Sequence, residues 1–240
     1  MNHYLVSTTL VFSAALAACG GGDLDPGAGD DPGEGTSTLL VEGQATAEPR
    51  LPNARSNGDF DTSFSVRVVL NGAPVTTGTV SVTSETGTVQ LAFRDDANNG
   101  GRWEGIGTGY DEVYVLDVES GADNARGIRV DGPDLHYVTT PAPGVAVDAT
   151  LALEVTWSRE DEAESASLRA GEVDEIAVPD SGRYQLPASS LKSERDKPNE
   201  NTIRIRRENR VAPAGTVGGS EWSVRIENSI EVLANPNPNA

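Results

Sequence analysis

The chain has 240 residues, with 37 Asp and Glu against 18 Lys and Arg, for a net charge of −19. That excludes a reader of nucleic-acid phosphates, which needs a basic face. One cysteine, and one histidine beyond residue 18, leave no Cys/His nucleophile pair and no zinc site of the usual kinds.

The first element is a leader. Residues 1–18 carry no formal charge, and Leu5 to Phe12 are followed by small residues up to Leu16-Ala17-Ala18-Cys19 and then Gly20-Gly21-Gly22-Asp23. The apolar stretch is too short to span a membrane and reads as a signal-peptide core. Leu16-Ala17-Ala18-Cys19 resembles the lipobox of bacterial lipoproteins, although Met1-Asn2-His3-Tyr4 lacks the usual basic residue. The resemblance implies a signal peptide over 1–18, cleavage before Cys19, thioether lipidation of its sulfur and acylation of the new amino terminus. Several acyl chains anchor permanently where one is marginal. Gly20 stands where enteric lipoproteins retained at the inner membrane carry Asp, so the resemblance implies a bacterial cell envelope location, at the outer membrane.

Residues 19–37 follow as a lipidated linker. Between 20 and 35 there are five acids, no base and little that is apolar, a composition expected to stay disordered. As a coil its r.m.s. span is roughly 20–25 Å, enough to hold a folded body off the membrane.

From residue 38 the pattern has period two. Phe64, Val66, Val68 and Leu70 alternate with smaller or polar neighbours, as do Val80 and Val82, Val89, Leu91 and Phe93, and Tyr114, Leu116 and Val118. Breaks at Asn71-Gly72, Thr86-Gly87 and Asn99-Gly100-Gly101 predict half-buried antiparallel strands joined by tight turns. Val68-Val69-Leu70-Asn71-Gly72-Ala73-Pro74-Val75 followed by Gly78-Thr79-Val80-Ser81-Val82 resembles the opening of carboxypeptidase-regulatory-like and other Ig-like β-sandwich modules. Gly109-Tyr110-Asp111 fits the approach to a late strand of such a module. The resemblance implies a spacer, accessory or adhesive role.

Pro141-Ala142-Pro143-Gly144 reads as an interdomain joint. Beyond it, Leu151, Leu153, Val155 and Trp157, then Ile176 and Val178, Ile203 and Ile205, and Trp222, Val224 and Ile226 supply a second strand set. The stretch 158–171 is open between a capped helix, with Ser158 and Asp161 as a capping box, and other structure. The expected organisation is therefore all-β: two small antiparallel Ig-like β-sandwiches in tandem, at 38–142 and 145–234, after a disordered tether, with a disordered tail at 235–240.

Candidate sites are few. Asp95, Asp96, Asn98 and Asn99 are hard oxygen donors of the kind calcium takes, but no EF-hand register fits, and a tight turn is the favoured reading. His136, flanked by Leu135 and Tyr137, is expected to face solvent on a strand. Asp180-Ser181-Gly182-Arg183-Tyr184 resembles the Asp-x-Gly-x-Tyr signature of immunoglobulin domains, with a plain hairpin turn favoured because Pro187 follows at once. Residues 202–210 hold Arg204, Arg206, Arg207 and Arg210 against one acid, Glu208. Such guanidinium groups suit an anionic glycan or protein partner; cross-strand pairing with Glu221 or Glu227 is the other reading. The expected function is a non-enzymatic, envelope-anchored lipoprotein that presents β-sandwich modules to a protein or glycan or serves as a spacer, with no cofactor and no nucleic-acid partner. The alternative is an envelope hydrolase or lyase working with Asp and Glu carboxylates.

Overall fold

A computed structural model of the chain describes residues 24–95 and 100–238. Cys19, Asp96, Asn98 and Asn99 lie outside the described residues. Eighteen strands within them form three sheets. A five-stranded sheet runs β1 (Glu34–Gly35), β10 (Asp123–Asp131), β9 (Val113–Ser120), β5 (Thr79–Ser84), β6 (Gly87–Gln90). A three-stranded sheet runs β11 (Val138–Thr140), β13 (Leu153–Trp157), β16 (Arg183–Leu186). The largest sheet runs β15 (Val173–Val178), β14 (Ser165–Ala170), β17 (Asn199–Val211), β18 (Glu221–Ala234), β2 (Leu39–Pro49), β3 (Phe60–Leu70), β8 (Arg102–Thr108), β7 (Ala92–Arg94). Two short strands complete it, β12 (Ala146–Val147) on β18 and β4 (Ala73–Pro74) on β3. Among the described residues the only helical piece is a 3-10 turn at Asn57–Asp59, so the fold is all-β.

Both smaller sheets pack on the large one, and each contact makes a core. In the first, Phe64, Val66 and Val68 of β3 meet Val80, Val82, Tyr114, Leu116 and Val118 of the five-stranded sheet, the alternating residues expected to point inward. In the second, Val155, Trp157 and Leu186 of the three-stranded sheet meet Leu168, Ile203, Ile205, Ile230 and Val232. Burying one such side chain contributes roughly 1.5–3 kcal/mol. These are sandwich layers, each sheet turning an apolar face to a shared core.

The chain divides between the cores differently from the expected 38–142 and 145–234. β17 and β18 pair along the whole of β17, from Asn199↔Ala234 to Val211↔Trp222. One end of β18 runs parallel to β2, placing Trp222, Val224 and Ile226 in the first core. Its other end gives Ile230, Val232 and Ala234 to the second. A single hairpin therefore passes through both sandwiches. The joint at 141–144 is not a boundary either, because Val138–Thr140 before it already belongs to the second sandwich through β13.

Further differences have local causes. Residues 24–37 are not a loose tether: β1 pairs with β10, and Asp31 bridges Arg129, because this backbone fills the free edge of β10. Residues 165–170 form a strand rather than a helix; Ala166, Leu168 and Ala170 recur every second residue and are buried. The run Val89-Leu91-Phe93 is split at buried Leu91, where the chain leaves the five-stranded sheet as β6 and enters the large sheet as β7. Leu151 is 62% exposed, since β13 begins only at Leu153. In the tail, the Asn235 and Asn237 amides donate to Val147 and Glu194 carbonyls at 2.8 Å each, so residues 235–237 are held to the second sandwich.

Candidate functional site

The most concentrated chemistry lies where the sandwiches meet, around Arg207. Alternation along β17 puts Ile203, Ile205 and Arg207 on the inward face, so a guanidinium enters a largely apolar interior, fully buried. Its Nε donates to Asp180 Oδ2 at 3.0 Å, and Nη2 lies 2.9 Å from the same oxygen. Nη1 donates to the Asp134 carbonyl at 2.8 Å, and Nη2 to the Asp161 carbonyl. Asp180, 4% exposed, also accepts from Trp157 Nε1 at 3.1 Å and from the Ala163 amide at 2.8 Å. Burial alone would raise its carboxyl pKa, but the Ala163 amide and the Arg207 guanidinium overcome that and hold it below its ordinary 3.8. The Asp-x-Gly-x-Tyr segment thus does more than turn the chain: its Asp binds the fully buried Arg207, while Tyr184 packs half-buried against the second core.

His136 lies beside this node. Expected on a solvent-facing strand, it is instead fully buried, with Nε2 at 3.2 Å from the Ile205 carbonyl oxygen. An imidazole nitrogen facing a carbonyl carries the proton. Burial, and then the Arg207 charge, push the His136 pKa down to about 3, so the ring is neutral at physiological pH. Its Nε2 is occupied by a backbone oxygen, and the ring is built as a packing element.

Outward from Arg207 the surface opens into a cleft of about 320 Å³. Glu112, Asp131, Asp134, Glu160, Asp161 and Glu162 line it, with Pro26 and Gly27 of the N-terminal segment forming part of one wall. Two of the acids each gather two backbone amides. Asp134 Oδ2 accepts the Glu160 and Asp161 amides at 2.6 and 2.7 Å, and Asp131 Oδ2 accepts the Gly27 and Gly29 amides at 3.0 and 2.9 Å. Glu112 differs: burial, followed by the charges of Asp134 and Glu160, raises its pKa above the ordinary 4.5 against a lowering bond from the Leu135 amide. Among the described residues no aromatic side chain lines the cleft. The sequence signal missed here was the acid density of 131–134 and 160–162, dispersed in a chain acidic throughout.

The arginine stripe is paired from within. Arg206 donates to both oxygens of Glu175 at 2.6 and 2.8 Å and to Glu227 at 3.0 Å. Arg204 lies 3.3 Å from Glu227, and Arg210 lies 3.3 Å from Glu221 and 3.8 Å from Glu164. With Arg207 buried, all four arginines answer acids of their own chain. The expected anion-binding surface gives way to the cross-strand reading, because Glu227 of β18 lies directly opposite Arg206 on β17, and Glu175 reaches Arg206 from β15, one strand beyond β14. Of the oxygen-rich loop only Asp95 is described, and among the described residues no group of three or more His, Cys, Asp or Glu could hold a metal ion. Nor, among them, is any helix long and apolar enough to cross a membrane.

No protein-family model matches the chain, and no curated protein matches it. Among solved structures, it is similar to the central fibronectin-III array of RIM-binding protein, at 10% identity over 86% of this chain and 72% of that one, with a TM-score of 0.26. It is also similar to a two fibronectin type-III domain segment from chicken tenascin, at 13% identity over 79% and 99% of the two chains, TM-score 0.23. Fibronectin(III)-like modules of Clostridium thermocellum CbhA match at 16% over 76% and 92%, TM-score 0.24. At these low scores the all-β sandwich fold rests on the sheets and cores themselves.

Proposed function

We propose that this chain is a lipid-anchored, non-enzymatic envelope protein whose two fused β-sandwiches act as a stiff spacer, holding a surface at a set distance for an envelope protein or glycan. The single observation that carries the spacer reading is the β17–β18 hairpin running through both cores. A spacer must resist bending, and a continuous ladder of paired residues resists it better than a two-proline joint between separate modules. The anchor reading rests on Leu16-Ala17-Ala18-Cys19. Expression in a bacterial host with labelled palmitate tests it. The wild type should take up label and stay with membranes after a high-salt wash, and Cys19→Ala should do neither. A Cys19→Ala protein that still sediments with membranes would overturn the anchor.

A second reading, an envelope hydrolase or lyase, is favoured by Glu112, a carboxyl with a raised pKa in an acid-lined cleft, as a general acid requires. Release of reducing ends from envelope glycans by the wild type but not by Glu112→Gln would support it; no release by the wild type would remove it.

A further inference from the structure

We infer that residues 25–37 form a releasable strap whose docking on β10 sets how far the folded body extends from the membrane; this rests on the lipid-anchor reading of Cys19. The docking is specific. Gly33, at φ +71°, lies so close to the Arg126 and Gly127 backbone that an added Cβ would collide with it. A Cβ on Gly35 would fall 2.5 Å from the Gly215 carbonyl oxygen and 2.7 Å from that of Asn124. Asp131 Oδ2 gathers the Gly27 and Gly29 amides, Arg129 Nη2 donates to the Asp25 carbonyl at 2.7 Å, and the Thr36 amide donates to the Asn124 carbonyl at 3.0 Å.

The same docking is shallow. From Asp25 to Thr38 no residue is buried; the first that is buried is Leu39. The bonds from Gly27 and Gly29 are exposed to water. The docked state also leaves Arg129, only 5% exposed, with an Nη1 that has no hydrogen-bond partner, and a buried polar group without a partner carries a free-energy cost. Strap residues 25–37 hold four acids and no base within a chain of net charge −19. A segment with specific polar contacts and almost no apolar burial opens at low free energy while the cores stay closed. Release turns these thirteen residues into linker, adding at most about 45 Å of extended chain and roughly 20 Å of r.m.s. reach.

Hydrogen exchange on the purified full chain reads release directly. Strap amides at Gly27, Gly29, Asp31 and Thr36 should be protected, yet exchange roughly a hundredfold or more faster than those of β9 and β3. Gly33→Ala should abolish strap protection and leave core protection within about twofold, since the added methyl meets only strap-contacting backbone. In vesicles of phosphatidylethanolamine and phosphatidylglycerol, energy transfer from the tryptophans to a headgroup dye should fall in Gly33→Ala. Strap amides that exchange only with the core, protection that survives Gly33→Ala, or unchanged transfer would each overturn the inference. A chain that does not enter vesicles at all defeats the anchor and the reach with it, while exchange still reports whether the strap opens.

Discussion

Arg207 and His136 show how much of the interior turns on two polar residues. Replacing Arg207 by Ala leaves the Asp180 carboxylate buried beside Trp157 and the Asp134 and Asp161 carbonyls without their donor. Breaking one side of such a buried pair costs about 3–5 kcal/mol, so chemical denaturation of Arg207→Ala should show a loss of that size. A loss near zero would mean water replaces the guanidinium freely. His136 acts through pH. An unfolded chain takes up a proton below pH 6.5, whereas the folded ring declines it until about pH 3. Stability is therefore untouched above pH 6.5 and eroded as pH falls from there to 3. Asp180, held below 3.8, keeps its contribution while pH stays above that value and loses it as pH falls further, through its folded pKa. Glu112, with its pKa raised, works the other way, adding stability as pH falls through its folded value. Comparing the wild type with His136→Leu isolates the histidine: the melting temperature of the variant should fall less steeply between pH 6.5 and 4.5. Parallel curves would mean His136 titrates normally.

At the scale of elements, legibility followed alternation. β3 and β5 bury chiefly one face against the opposite layer, and β9 keeps the same period for Tyr114, Leu116 and Val118 although Val113 and Val115 are buried too, so Phe64, Val66, Val80, Val82 and Leu116 declare themselves in sequence. β17 obeyed the same rule, which by itself places Arg207 inward with Ile203 and Ile205; what alternation cannot supply is the partner, Asp180, 27 residues away in sequence. The His136 segment misled because neighbours Leu135 and Tyr137 are half-buried while His136 is buried, in a crossing between sheets rather than in a ladder. The tether misled for another reason. Composition reports how little apolar surface a segment can bury, and the strap buries little; its docking depends on glycines fitting against backbone, which composition does not register. The arginine stripe carries its own test at this scale. Glu227, 4% exposed, joins Arg204 and Arg206, and its Oε2 has no hydrogen-bond partner. Glu227→Gln should weaken both pairings and destabilise by about 1–3 kcal/mol, seen as a lower denaturation midpoint with unchanged slope. An unaltered midpoint would show that Glu175 alone suffices for Arg206.

For the whole molecule, the shared hairpin decides how the protein comes apart. If the sandwiches were tandem modules, a fragment ending at residue 142 would contain a complete first domain. In this fold it lacks Trp222, Val224 and Ile226, all fully buried in the first core, and it bares β2 along Leu39–Pro49, where β18 pairs in the intact chain. Losing three such side chains removes roughly 5–9 kcal/mol of burial, comparable with the whole stability of a small domain. An unpaired edge on β2 also invites association between copies. The fragment 24–142 should therefore fail to give a dispersed amide spectrum and should aggregate, while the full chain unfolds in one cooperative transition by far-UV and near-UV probes alike. Limited proteolysis of the full chain should spare 141–148, where the Gly144 amide donates to the Glu231 carbonyl and β12 lies along β18. A well-folded monomeric 24–142 fragment, or early cleavage within 141–148, would show instead that the first sandwich stands without the hairpin, and the stiffness required of a spacer would have to come from elsewhere.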